Sequence, residues 1–241
     1  MNALRTQIST ELKLNLRNGE QLLLTLGIPV LLLTFFSLVD VLPVPEQVDN
    51  SVDYLAPGIL ALAVLSSAFT GLAIATGFER QYGVLKRLGT TPLGRPRLLI
   101  AKTATVIAIE LIQLLVLLPL ALALGWSPSI HPLPLVGAVV LATIAFAGVA
   151  LLLAGTLPGL VVLAAANAVY LVLLLFSDII IPLDGIPGIL ATLSGLLPST
   201  AFAQLVRASL AGGWGPTHAW VTLSIWALVS PALASKFFRW Q

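Results

Sequence analysis

Long apolar runs alternate along the chain with short polar or broken stretches. Six runs are candidates for membrane-crossing helices, at 22–39, 54–77, 98–124, 134–156, 159–177 and 219–235. A helix needs about 20 apolar residues to cross a hydrocarbon core of ~30 Å, and each run approaches or exceeds that length. The pattern therefore predicts an all-α integral membrane protein, with six transmembrane helices in a single transmembrane domain over 1–241.

Two stretches outside these runs predict shorter helices. Leucine and isoleucine recur every four residues from Leu4 to Leu16 among charged positions, which predicts an N-terminal interfacial amphipathic helix over 1–21. The alternative is an ordinary polar lead-in. Residues 183–213 are apolar but interrupted by Pro and Gly, and their two pieces are each too short to cross. We expect a short re-entrant helical hairpin in the outer leaflet between helices 5 and 6, because broken backbone at membrane depth must be covered by protein or water.

Composition agrees with a membrane domain and excludes several kinds of site. Hydrophobic residues make up 58% of the chain and charged residues 9%, whereas soluble domains carry about 25% charged residues. The absence of cysteine excludes disulfides, thiolate metal sites and cysteine nucleophiles. The two histidines have no further ligands in a metal-binding pattern, and the sequence has no carboxylate pair, Ser-His-Asp set or H-E-x-x-H motif. We therefore predict neither a metal site nor catalytic residues.

Basic residues fix the orientation. Eleven of the 12 Lys and Arg residues lie on one face: three precede the first run, six lie from Arg80 to Lys102 between the second run and the beginning of the third, and two follow the sixth. Only Arg207 falls on the other face. The positive-inside rule places the basic face in the cytoplasm. The prediction is a multi-pass protein of the bacterial cell (inner) membrane with both termini cytoplasmic.

The basic loop over 78–94 is the most informative stretch. It predicts a short charged helix at the cytoplasmic face, in which apolar Val84, Leu85 and Leu88 lie among charged residues. Such a helix suits docking into a groove on a soluble partner, with apolar side chains inserted and charges at the rim. The alternative is a positive-inside loop that only fixes topology.

This loop resembles the signature of ABC-2 type transporter permeases. The matching residues are Glu79, Arg80, Gly83, Leu85, Arg87, Leu88, Thr91 and Pro92. The family pattern commonly has a second acid two residues after the first, and Gln81 stands there in this chain. The interfacial helix, the six predicted spans and the broken outer hairpin are similar to the family too.

The resemblance implies the membrane subunit of an ATP-driven ABC exporter for an amphipathic drug, lipid or lipid-linked molecule, with drug or antibiotic export as the default. It implies two cytoplasmic ABC ATPase subunits and a second permease copy, as a homodimer or a heterodimer with a related permease. It also implies a cytoplasmic coupling helix over 78–94, with coupling residues Glu79, Arg80, Gly83, Leu85, Lys86, Arg87 and Leu88.

The chain itself has no G-x-x-x-x-G-K-[ST] loop to hold nucleotide phosphates, so it is predicted not to be an enzyme. We expect no cofactor in this chain, ATP and Mg bound by the ATPase, the lipid bilayer as surroundings and no nucleic-acid partner.

Three polar residues within the apolar runs are candidates for the translocation path: Glu110, Gln113 and Asn167. A carboxylate at the depth of Glu110 is costly, so it should face protein or water. It is either a substrate contact or gating charge, or a structural hydrogen-bonding group paired with Gln113 or across a dimer. For Asn167 a role in tying helices together is favoured.

A stand-alone secondary carrier or channel is the alternative function. Such a carrier is expected to have inverted repeats with matched interrupted helices and ionisable groups in the membrane. This sequence has one broken segment without a counterpart in the other half. Docking of an ATPase on 78–94 would distinguish an ABC exporter subunit from a stand-alone carrier or channel.

Overall fold

The computed structural model describes residues 3–19, 23–39, 51–89, 94–177, 179 and 188–239. Within those ranges the chain forms helices joined by turns and has no β-strand, so the predicted all-α class is confirmed. Thr91 and Pro92 of the loop signature, and 183–187 of the predicted hairpin, lie outside the described residues.

Eleven α-helices follow one another in this part of the chain. They are α1 Ala3–Arg17, α2 Ile28–Leu38, α3 Ser51–Leu65, α4 Leu72–Gln81, α5 Val84–Gly89, α6 Gly94–Ala123, α7 Pro132–Thr156, α8 Gly159–Leu175, α9 Gly188–Gly195, α10 Pro198–Leu210 and α11 Thr217–Phe237. A π-helical segment, Leu23–Gly27, leads into α2, and a second, Ser66–Gly71, joins α3 to α4. Single π turns of this kind are frequent at functional sites.

Four helical segments are long and apolar enough to cross a membrane. They are Val52–Gln81, Arg97–Ala123, Pro132–Thr156 and Thr217–Phe237. Apolar helices Thr25–Leu38 and Gly159–Leu175 occupy the predicted first and fifth spans but are shorter. At 1.5 Å per residue, a 17-residue helix such as α8 is ~26 Å long, slightly less than a ~30 Å core. The chain is a multi-pass membrane protein, and the count of six spans stays a prediction.

Small residues allow the helices of the core to approach closely. A Cβ added at Gly148 in α7 would lie 2.2 Å from Ser230 Oγ in α11. The Ser230 hydroxyl donates a 2.7 Å hydrogen bond to the Ala145 carbonyl oxygen. Packing through Gly, Ala and Ser is typical of helices in lipid, because apolar burial alone does not drive helices together there.

On the face opposite the basic loop, α10 packs under the start of α3. Arg207 donates to the carbonyl oxygens of Tyr54, at 3.0 Å, and Ile179, at 3.1 Å. Its guanidinium also lies 4.4 Å from the centre of the Tyr54 ring. Helices α9 and α10 occupy the two pieces predicted for the outer hairpin, and whether they form a re-entrant hairpin stays a prediction.

Candidate functional site

The basic loop is not one continuous helix. Helix α4 ends at Gln81, a turn follows at Tyr82 and Gly83, and the short helix α5 begins at Val84. Gly83 has a φ of +73°, which a residue with a Cβ adopts only with strain. The predicted coupling helix over 78–94 is thus divided at this glycine, and its described second part is the six-residue helix α5.

Side chains of the turn and of α5 divide between the core and the surface. Leu85 is fully buried in the hydrophobic core and so anchors α5 to the transmembrane helices. The exposed side chains of Tyr82, Val84, Lys86 and Arg87 form what we call the coupling surface. Apolar and basic groups thus stand side by side on a short helix whose other face is fixed in the protein.

Glu79, in contrast, points into the protein. Lys102 Nζ in α6 lies 2.6 Å from Glu79 Oε2 and 3.3 Å from Glu11 Oε1 in α1. The Lys102 side chain is only 3% exposed. This ion-pair triad of Glu11, Glu79 and Lys102 links the end of α4 to α6 and to the N-terminal helix. Glu79 thus has a partner within the chain, and its role as a coupling residue stays a prediction.

Arg80 also faces the protein. Its Nη1 donates a 2.8 Å hydrogen bond to the Ala154 carbonyl oxygen, near the end of α7. The turn between α7 and α8 is held from a second side, because the backbone N–H of Arg239 donates to the Gly155 carbonyl oxygen at 3.1 Å. A Cβ at Gly159 would meet Gln81 Oε1 at 2.1 Å, so this glycine permits the close approach. The end of α4 is thereby tied to the turn between α7 and α8.

A groove of about 660 Å³ opens between α2, α8 and the segment that joins α3 to α4. Its polar lining consists of Asn18, Thr25, Ser66, Thr70, Asn167 and Tyr170. The hydroxyls of Ser66 and Tyr170 lie 3.2 Å apart across it. Leu32, Leu62, Ile74 and Leu174 are among its apolar lining, and none of the described residues that line it is Asp, Glu, Lys or Arg.

The three residues proposed for the translocation path have different surroundings and hydrogen-bond partners. Asn167 lines the groove and donates to the Leu163 carbonyl oxygen of its own helix, at 2.9 Å, so the hydrogen bond found for it does not tie two helices. Gln113 joins three segments, because its Nε2 donates to the Thr25 carbonyl oxygen at 2.9 Å and its Oε1 accepts from Ser67 at 3.3 Å.

Glu110 does not line the groove. It is 1% exposed, and Thr143 donates a 2.6 Å hydrogen bond to its Oε2. The Gln113 side chain forms its hydrogen bonds with Thr25 and Ser67 instead. The other carboxyl oxygen of Glu110 has no hydrogen-bond partner among the described residues. A hydrogen bond from Glu110 to Gln113 is therefore not found.

Sequence reasoning missed Lys102 and Glu11 as members of a site. The basic pattern groups Lys102 with the other cytoplasmic Lys and Arg residues. A signal was present, because Lys102 falls four positions inside the predicted span 98–124, where a cation needs a counter-charge. The two histidines lie apart: His131 packs against Trp214, and His218 hydrogen-bonds Gln204. No group of three His, Cys, Asp or Glu residues able to hold a metal occurs in the part of the chain that the structure describes.

Comparison with known proteins supplies the family. A search of curated proteins found no match to this chain. The model of the ABC-2 type transporter family matches residues 2–211, which is most of the chain and includes the coupling surface, the ion-pair triad and the groove. Together with the apolar helices, this match makes the chain a membrane transport component. The chain belongs to the ABC-2 type transporter family.

Proposed function

We propose that the chain is the membrane subunit of an ATP-driven exporter, that it pairs with a second permease copy, and that two cytoplasmic ABC ATPases drive it. The observation that carries the proposal is the coupling surface, which is exposed on one side and fixed to the transmembrane helices on the other. Such a segment can transmit the motion of a docked protein, because it cannot shift without moving the helices that hold it.

Docking is supported by the chemistry of the surface. Tyr82 is 71% exposed and stacks on Phe78, with ring centres 6.0 Å apart. Val84 is exposed beside it, with basic Lys86 and Arg87 further along α5. Tyrosine and arginine are enriched where soluble partners bind, and the polar rim of such an interface accommodates a lysine.

Transmission is supported by the two attachments behind the coupling surface. Glu79 connects the end of α4 to α6 and α1 through Lys102, and Arg80 connects it to the end of α7. Both residues lie within one helical turn of Tyr82. A displacement of the coupling surface would therefore reach four helices through short polar contacts.

The groove supports an amphipathic substrate. Its volume of about 660 Å³ lies within the ~300–1,000 Å³ range of small-molecule pockets. Apolar walls with scattered hydroxyl and amide groups suit a ligand that is largely apolar with a few polar atoms. Helices α2 and α8, which form two of its walls, expose large apolar residues such as Leu31, Phe35, Leu160 and Leu171. We propose that a second permease copy covers this face and completes the translocation path.

Co-purification and transport test the proposal. The tagged chain is co-expressed with candidate ABC ATPases, and ATP-dependent efflux of an amphipathic dye is then measured in proteoliposomes. We expect the native chain to retain an ATPase, and Lys86→Glu/Arg87→Glu to release it and abolish ATP-dependent efflux. The matched control is Lys13→Glu/Arg17→Glu, the same charge reversal at exposed positions of α1, which should retain the ATPase.

The opposite result would replace the proposal. If the native chain purifies without any ATPase and still moves dye in liposomes that lack ATP, it is a stand-alone carrier. If an ATPase is retained equally by the native chain and the α5 variant, docking does not use the coupling surface.

A further inference from the structure

A second cavity lies beside the groove, on the side of the coupling surface. It has a volume of about 300 Å³ and lies between α1, α4 and α6. Four of its lining residues, Asn18, Thr25, Gly71 and Ala75, also line the groove, so the two spaces adjoin along a common wall. We call this second cavity the chamber.

The chamber differs from the groove in charge. Glu11, Glu79 and Lys102 all line it, whereas no Asp, Glu, Lys or Arg lines the groove within the ranges that the structure describes. Among the described lining residues Lys102 is the one basic residue, so two carboxylates face one ammonium and the formal charge of these three side chains is −1. Glu11 and Lys102 are largely buried and Glu79 is 31% exposed, so solvent screens only part of the excess negative charge and a bound cation would balance it.

Aromatic and polar groups complete the lining. Phe78 and Tyr82 stack nearly parallel, with an angle of 18° between their rings, and both line the chamber. Aromatic faces attract ammonium groups, including quaternary ones, through their negative quadrupole. Asn15 and Ser67 add polar side chains to the walls. The chamber thus offers a cation both carboxylate charge and aromatic surface.

We propose that the chamber binds the positively charged head of a cationic amphiphile while the apolar tail of the same molecule lies in the groove. The inference deepens the proposed function, because it assigns a charge class to the transported molecule. The ligand carries a primary or quaternary ammonium and no anionic group. A zwitterionic phospholipid head fits less well, since Lys102, the basic residue among the described lining residues, already contacts both carboxylates.

Binding to the purified permease, without any ATPase, tests the inference. The protein is placed in nanodiscs of zwitterionic lipid, and binding of tritiated dodecyltrimethylammonium is compared with that of uncharged dodecanol after subtraction of empty nanodiscs. We expect saturable binding of the cation that exceeds that of dodecanol. Glu11→Gln removes the excess negative charge and should weaken cation binding about tenfold, which corresponds to ~1.4 kcal/mol, while leaving dodecanol unchanged.

Two further variants keep the test decisive. Glu110→Gln makes the same chemical change outside the chamber and should bind the cation like the native chain. Asn15→Asp adds a carboxylate at the chamber wall and should strengthen cation binding, which loss of folding could not do. The inference is overturned if the native chain shows no saturable excess of cation, or if neither Glu11→Gln nor Asn15→Asp changes it. Loss of the ATPase in the co-purification experiment would overturn the proposed function and leave this result intact.

Discussion

Substitution of Lys102 by methionine should destabilise the protein strongly. The change keeps the length of the side chain but leaves Glu11 and Glu79 facing each other without their common cation. Breaking a buried ion pair by removing one partner costs about 3–5 kcal/mol. Lys102 and Glu11 are 3% and 11% exposed at their side chains, but Glu79 is 31% exposed and partly screened by solvent. We therefore expect a loss of about 2–4 kcal/mol in the free energy of unfolding.

Intrinsic tryptophan fluorescence during heating measures this loss, because the chain has five tryptophans and no cysteine for thiol dyes. At about 2–4 °C per kcal/mol for a chain of roughly this length, Tm should fall by on the order of 10 °C. The triple variant Lys102→Met/Glu11→Gln/Glu79→Gln leaves no unpaired charge in the triad, so its Tm should return most of the way to that of the native chain. Lys86→Met, an exposed position on α5, should change stability by no more than about 0.5 kcal/mol. A triple variant no more stable than the single one would refute the reasoning.

Two other predictions concern the helices of the core. Gly148→Ala should cost about 1–3 kcal/mol by thermal unfolding, since its Cβ would collide with Ser230, whereas Gly195→Ala, with nothing within 4 Å, should leave Tm unchanged or slightly raised. Glu110→Gln should keep both Tm and dye efflux, because the carboxyl lies outside the groove and Thr143 also donates to a carbonyl oxygen of its own helix at 2.8 Å. Loss of efflux at native stability would instead make Glu110 a functional group of the path.

The helical class and the family could be predicted because they depend on local properties of the chain. An apolar run such as Pro132–Thr156 has to satisfy its backbone hydrogen bonds internally in lipid, so it forms a helix wherever it packs. The short pattern around Glu79 and Gly83 likewise carries the family signature without reference to any other part of the chain.

Contacts between distant segments could not be predicted in the same way. The basic loop pattern gives the order of Glu79, Arg80 and Lys86, but not which of them faces the protein. That depends on where the helix ends, and the turn at Gly83 rotates α5 relative to α4. The pairing of Lys102 with Glu11 joins residues 91 positions apart in sequence, and no periodicity connects them.

The positions of the coupling surface and the chamber explain how ATP could act on a bound cation. Tyr82 and Val84 belong to the coupling surface, and both also line the chamber. A protein docked on that surface would therefore press on side chains that contact the chamber, without any long chain of intermediates. Glu79 lies one turn before Tyr82 and supplies one of the two carboxylates that would attract the proposed cation. Movement of this turn would change the distance between Glu79 and Lys102, and with it the strength of the attraction that the carboxylates exert on the ligand. Docking, ion pairing and release of an amphiphile would then depend on the same helical turn, which is a direct physical basis for coupling.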